Sequence, residues 1–333
     1  MGLLDLLLIL TLTPHLAAVG FAGVAPLVAL GLEWRGARRE NDLPDRVARY
    51  LAAQSMLWLC VGMLLGAAAL GISWLRGGDA YFDAFRAFPL RRYWFGAAEL
   101  AFSLGCLALY VRWRPRKRSG RVGHRLLALL ASTNLLYHFP ALFTAVAVLV
   151  QRGAAGEVPF LSMLADAEVL ARVAHYLMAA VAATGVFLLL AARSARFRAD
   201  EAINGRIARW GGRLALPATL LQIPLGVYLL LVMPPLARQR LMFADPLASL
   251  LLAGGLATAL GLMHQLAAAA LGGCSPAEAR RSAALFGLTL LLMVAARQQS
   301  RERTDATQPA ATVATPAAIV ATANSILWER NLR

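Results

Sequence analysis

Long apolar runs separated by short polar links make up most of the chain, and the runs are of membrane-crossing length. A hydrocarbon core about 30 Å thick takes roughly 20 helical residues. Uninterrupted apolar stretches near that length predict helices at Leu3 to Trp34, Tyr50 to Leu75, Tyr93 to Val111, Leu126 to Val150, Val169 to Ala192, Leu214 to Val232, Pro246 to Leu271 and Ser282 to Ala296. The expected fold is all-α, a polytopic transmembrane helical bundle of about eight helices. The eighth run is short, so its crossing stays open. The first has no basic stretch ahead of it and is too long for a signal peptide, so it reads as a retained helix. The bundle takes residues 1–296. Residues 297–333, mixed in Thr, Ala, Pro and Gln, read as a mobile tail with at most a short surface helix over Ile319 to Trp328.

Composition narrows the class. Hydrophobic residues make up 59%, charged residues 15%, and mean hydropathy is +0.60, the balance of an integral membrane protein. A net charge of +15 would suggest nucleic acid in a soluble chain. Here the arginines sit in links, as in loops that face anionic lipid, and no nucleic acid partner is expected. They cluster after helices one, three and five: Arg35, Arg38, Arg39, Arg46 and Arg49, then Arg112 to Arg125 with Lys117, then Arg193, Arg196, Arg198, Arg206 and Arg209. That asymmetry puts those links in the cytoplasm and the N-terminus outside. Cys60, Cys106 and Cys274 have no paired spacing and no C-x-x-C-H, so they read as packing residues.

Candidate chemistry rests on histidine. Of five histidines, His15, His138, His175 and His264 lie inside apolar runs, where an ionisable side chain needs a partner. His124, in a basic link, is expected to be solvated. At 1.5 Å per residue, His15, His138, His175 and Glu99 fall in the outer half of the bundle, while His264, about five turns into its helix, falls nearer the cytoplasm. His264 therefore reads as structural first and as a ligand second. A metal is the partner that uses several imidazoles at once, and haem iron takes them without carboxylate or thiolate help. The competing reading is a histidine bonded to a backbone carbonyl, or, for His15 after Pro14, one that caps a kink. Glu99 is a proton relay, a haem-side acid or a protonated partner of a neighbouring helix. Small residues flank His15 (Ala18, Ala22, Ala25) and His175 (Ala179, Ala182, Ala183), which suits either a flat macrocycle or close helix packing. Tyr93, Trp94, Trp58, Trp74 and Trp210 fit an interfacial aromatic belt. With no H-E-x-x-H, G-x-x-x-x-G-K or G-x-S-x-G, zinc peptidase, nucleotidase and hydrolase readings have no anchor. Gly211-Gly212 is too short a signal for a phosphate loop.

Four stretches carry a resemblance: HLAAVGFAGVAPLVALGLEWR (His15 to Arg35), ARYLAAQSMLWLCVGMLLGAA (Ala48 to Ala68), FPLRRYWFGAAELAFSLGCLALY (Phe88 to Tyr110) and VAHYLMAAVAATGVFLLLA (Val173 to Ala191). In spacing and order the chain is similar, over Met1 to Val232, to the large subunit of cytochrome bd-type quinol oxidases. The resemblance implies that His15 ligates a haem of the oxygen-reducing pair, that Glu99 is the acid beside that pair, and that His175 ligates the low-spin haem b. It implies one to three non-covalent haem b groups, with haem d as a further candidate. The implied partners are the lipid bilayer, other membrane subunits of an electron-transfer complex and, as a candidate, a periplasmic cytochrome c.

Departures from that pattern matter as much. Only Met233 to Asp245 stands where the family has its long quinol-binding loop, and G-R-Q-P-W is missing. PLASLLLAGG offers no methionine ligand early in helix seven, helix eight as read offers no glutamate, and His138 has no counterpart. The expectation is therefore electron transfer within a respiratory-type complex, as an oxidoreductase subunit, without quinol oxidation at the usual site. His138 would replace the missing methionine opposite His175. A divergent oxygen-reducing terminal oxidase subunit and a non-haem polytopic subunit or transporter are the alternatives.

Overall fold

The computed structural model describes residues 2–39, 42–76, 79–113, 118–152, 158–194, 197 and 200–300. The elements are α1 (Leu3–Arg39), α2 (Asp42–Leu75), α3 (Asp79–Arg86), α4 (Leu90–Arg112), α5 (Arg118–Arg152), α6 (Phe160–Leu164), α7 (Ala167–Ala192), α8 (Glu201–Val232), α9 (Pro235–Gln239), a π turn at Arg240–Ala244, α10 (Pro246–Leu271) and α11 (Pro276–Ser300). Eight helices among the described residues (α1, α2, α4, α5, α7, α8, α10 and α11) are long and apolar enough to span a bilayer. The chain is an all-α integral membrane protein. Most of the expected tail, residues 301–333, lies outside the described residues.

Six of the eight spans begin earlier than the apolar pattern suggests, and at α7, α8 and α11 capping explains why. Asp166 accepts from the amides of Glu168 and Val169, Asp200 from Ala202 and Ile203, and Asp245 from Leu247 and Ala248, at 2.8 to 3.2 Å. Each aspartate satisfies first-turn N–H groups; α7 and α8 accordingly start in the polar link ahead of the apolar run, while α10 starts at Pro246 as the pattern predicts. The largest correction is α8, which starts at Glu201 and not Leu214 and so carries Arg206 and Arg209 on the helix. In α11, Ser275 N–H donates to Glu278 Oε2 (2.6 Å) and Glu278 N–H donates to Ser275 Oγ (3.2 Å), a reciprocal capping box. The eighth span therefore does contain a glutamate, engaged at its first turn.

The eighth span also crosses fully. Its 25 residues make about 37 Å of helix. Gln299, at its end, donates to Asp245 Oδ2 at the start of α10 (3.0 Å), while its own start follows the end of α10.

Small residues set how closely the spans pack. A methyl group on Gly211 would sit 2.5 Å from the Gly185 carbonyl oxygen of α7, and one on Gly212 would sit 2.6 Å from the Ala270 amide nitrogen of α10. The Gly211-Gly212 doublet is thus a node where α8 meets two neighbours backbone to backbone. At one end of the bundle, the short helices α3 and α6 bring Ala84, Phe160 and Met163, with Phe88 just before α4, against Leu142, Val146 and Leu149 of α5. The link after α8 is compact: α9 leads into the π turn, where Phe243, 86% exposed, has φ of 91° and donates its N–H to Ser249 Oγ (2.8 Å).

Two substitutions test this packing. Gly211→Ala should destabilise the detergent-solubilised protein by about 1–3 kcal/mol through overpacking, read as a lower thermal midpoint. Gly287→Ala, whose methyl group meets nothing within 4 Å, should leave that midpoint unchanged or raise it.

Candidate functional site

His15 lies on α2. Its Nδ1 is 2.8 Å from the Gly62 carbonyl oxygen, which makes Nδ1 the protonated donor, and a methyl group on Gly66 would come within 2.8 Å of the ring. One turn on, Val19 occupies the bare backbone of Gly62 in the same way. The close approach is therefore made by Gly62 and Gly66, spaced G-x-x-x-G on α2, in addition to the alanines that follow His15 on α1.

His138 and Glu99 face each other across the α4/α5 seam. Nδ1 of His138 is 3.1 Å from Glu99 Oε2, with side chains 6% and 18% exposed. The approach is off the line of a formal hydrogen bond, and both Glu99 Oε2 and His138 Nε2 are buried without a hydrogen-bond partner. Nε2 faces α4 at Gly96, 3.5 Å from where a methyl group would stand. Phe95, Phe139 and Phe160 close around the imidazole at 5.7 to 6.2 Å between ring centroids.

The same seam carries two further polar levels that the sequence reading missed. At its far end, Tyr110 OH donates to Glu33 Oε1 (3.0 Å) and His124 Nε2 lies 3.2 Å from the same oxygen, with the Tyr110 and His124 rings 4.4 Å apart. His124 is therefore not solvated: it is buried on α5, joining α1, α4 and α5. In the antiparallel register fixed by these two contacts, Ser103 and Ser132 come level between them, both buried with hydroxyls that lack a partner.

His175 sits elsewhere. Its Nδ1 is buried and without a partner, and its ring faces Gly226 of α8. His138 meets α4 and Phe160, so the two rings share no neighbour in these contacts. His264 is exposed on α10. Among the described residues, no three of His, Cys, Asp and Glu come together as a metal-ion site. Of the aromatic residues assigned to a belt, Trp74 and Trp94 are exposed, whereas Tyr93 donates to the Phe85 carbonyl (2.5 Å) and stacks on the Phe85 ring.

A second polar cluster ties the end of α5 to the start of α7. Glu168, fully buried, accepts from Arg172 Nε (3.0 Å) and Arg152 (3.1 Å), and Arg152 also pairs with both oxygens of Asp166 at 2.7 and 3.0 Å. Arg172 reaches Gln151 as well (2.9 Å). The i,i+4 spacing of Glu168 and Arg172 was a legible signal. The Arg152 guanidinium, with the Val169 and Glu168 amides, holds the Asp166 carboxyl below the usual carboxylate range.

No family model matches the chain, and no curated protein matches it. Among solved structures it is similar to a chain of the bd oxidase from Geobacillus thermodenitrificans, with a TM-score of 0.63 and 14% identity over 90% of this chain and 87% of that one. At that identity the likeness is one of fold. It covers more of the chain than the sequence resemblance, which ended at Val232.

The Arg152 cluster yields two expected outcomes. Glu168→Ala, which leaves Arg172 and Arg152 without their buried partner, should cost on the order of 3–5 kcal/mol, measured by thermal unfolding in detergent. Asp166 has a folded pKa below its unfolded value, so its contribution is present above the unfolded value and is lost as pH falls through the folded one. Wild-type stability should therefore drop in that acidic window, and Asp166→Asn should flatten the drop.

Proposed function

We propose that the chain is a haem-carrying electron-transfer subunit of bd-oxidase type, set in a bacterial inner membrane with its N-terminus outside. The observation that carries this reading is a set of three buried imidazole nitrogens without partners, His124 Nδ1, His138 Nε2 and His175 Nδ1, the last two within apolar runs, in a bundle with a bd-oxidase fold. Leaving a buried polar atom unsatisfied costs about 1–3 kcal/mol, so two such nitrogens within apolar runs call for an occupant. The donor chemistry fits haem: a macrocycle brings four nitrogens of its own and needs one or two imidazoles, whereas a bare ion needs a set of three or four ligands that the described residues do not assemble.

His15, His138 and His175 would hold the haem. A bound haem supplies one-electron redox chemistry at iron, of haem b type with haem d as the further candidate. The bond from His15 Nδ1 to the Gly62 carbonyl fixes the tautomer and leaves Nε2 as the ligating nitrogen. Because His138 and His175 face different helices, we read them as ligands of separate haems rather than of one bis-histidine site. Glu99 ends a seam that also holds Ser103, Ser132 and Tyr110, groups able to hold or pass a proton toward the cofactor. His264, exposed on α10, is left out of the ligand set.

The compact link of α9 and the π turn has no long quinol-binding loop, which favours electron delivery by another membrane subunit or a periplasmic cytochrome c. A non-haem polytopic subunit is the second reading, favoured by the carbonyl bond that already engages His15.

Protein purified from haem-replete cells should show a Soret band and a pyridine haemochrome of b type, and His175→Ala should lose one haem equivalent. A purified protein with no Soret band would falsify the haem reading and leave the non-haem subunit. Oxygen uptake with a quinol or artificial donor then separates an oxidase from an electron carrier.

A further inference from the structure

Toward the arginine-rich end of the bundle, the seam between α1 and α5 opens into a groove of about 450 Å³. Leu27 and Leu30 of α1 and Leu126 and Leu129 of α5 form its walls, with Trp34 and Arg125 also in the lining. The 3.2 Å contact between Glu33 and His124 fixes the register that puts Trp34 and Arg125 at the mouth and the leucines deeper. Gly31 keeps the groove open, since a methyl group there would meet nothing within 4 Å. At the other end it is shut: Leu136 fills the bare backbone of Gly23, 2.6 Å from where a methyl group would stand. From Gly23 to Trp34 is about 16 Å of helix, close to half of a hydrocarbon core roughly 30 Å thick. The groove thus has the depth of one leaflet, too short to seat a membrane-crossing helix and long enough for an acyl chain.

Charge selects among lipids. Arg125 is half-buried and has no ion pair or hydrogen bond among the described residues. No carboxylate lines the groove, and Glu33, next to Trp34 in the chain, is engaged instead by Tyr110 and His124. An arginine at such a mouth lays its methylene stem along apolar surface and lifts the guanidinium to headgroup level. Basic residues crowd both flanks in the sequence, Arg35, Arg38 and Arg39 after Trp34, and Arg112 to Arg121 before Val122. We propose that this groove binds an anionic phospholipid, with one acyl chain between α1 and α5 and the headgroup held by Arg125 beside Trp34. The site stands whether or not the bundle carries haem.

Tryptophan fluorescence of the full chain in phosphatidylcholine vesicles tests this, with lipid brominated near the carbonyl end of one acyl chain titrated in as quencher. Brominated phosphatidylglycerol should quench a saturable component at about five-fold lower mole fraction than brominated phosphatidylcholine, and Trp34→Phe should remove that component. Arg125→Gln should bring the two curves together. Gly31→Phe, which fills the groove, should abolish the component, whereas Gly71→Phe, at another glycine with open space, should keep it. Equal quenching by both lipids in the wild type marks ordinary boundary lipid and overturns the proposal. So does a preference that survives in Arg125→Gln, and so does the lack of any Trp34 component, the sign of a groove covered by a second copy or another subunit. Should Arg125→Gln or Gly31→Phe fail to fold, the two lipids compared on wild type and Trp34→Phe decide the matter.

Discussion

Hydrocarbon offers no water, so every polar atom within the membrane must find its partner in the protein. Most of the bundle obeys this by local means. Thr13, Ser73, Thr184 and Thr219 each donate to the carbonyl four residues earlier, and aspartates or a capping box close the starts of α7, α8, α10 and α11. Against that background the exceptions stand out. Among the described residues, Glu99 Oε2, Ser103, His124 Nδ1, Ser132 and His138 Nε2 lie on α4 and α5, His175 Nδ1 sits beside α8, and Trp58 Nε1, Arg193 Nε and Ser194 lie elsewhere. The α4/α5 seam thus holds more of these atoms than any other pair of helices.

Close packing answers to a different demand. Lipid tails are as apolar as leucine, so spans gain little from hiding apolar surface from lipid and associate through close contact and interhelical hydrogen bonds. Gly62 and Gly66 admit Val19 and His15, and Gly185, Gly211 and Gly212 bring three backbones together. At the aqueous ends charge takes over. The Arg152, Glu168, Arg172 and Asp166 cluster ties α5 to α7, and Asp5 pairs with Arg76 to tie the start of α1 to the end of α2.

Apolar run length made the eight spans legible, because crossing a bilayer is a one-dimensional requirement. Helix starts were less legible: α1 and α10 begin where the pattern put them, whereas α7 and α8 begin after a capping aspartate ahead of the apolar run. His15, His138, His175 and Glu99 stood out as rare ionisable residues in apolar runs, but their neighbours did not. Nothing in the spacing of Glu33, Tyr110 and His124 reveals that they meet, since they come from three helices. His124 looked solvated because charge surrounds it in sequence, yet its ring turns inward against Tyr110. The pairing of His138 with Glu99 depends on antiparallel register between two spans, which one helix's pattern cannot encode.

The glycine node on α8 divides that helix mechanically. Residues up to Gly212 are held by backbone contact with α7 and α10, so this half cannot rotate about its axis without driving Trp210 or Arg213 into a neighbour. Beyond it, Pro217 and Pro224 each remove a ladder hydrogen bond before Gly226 reaches the His175 ring. The wall facing His175 is therefore the half of α8 with fewer ladder hydrogen bonds, set beyond an anchored stem.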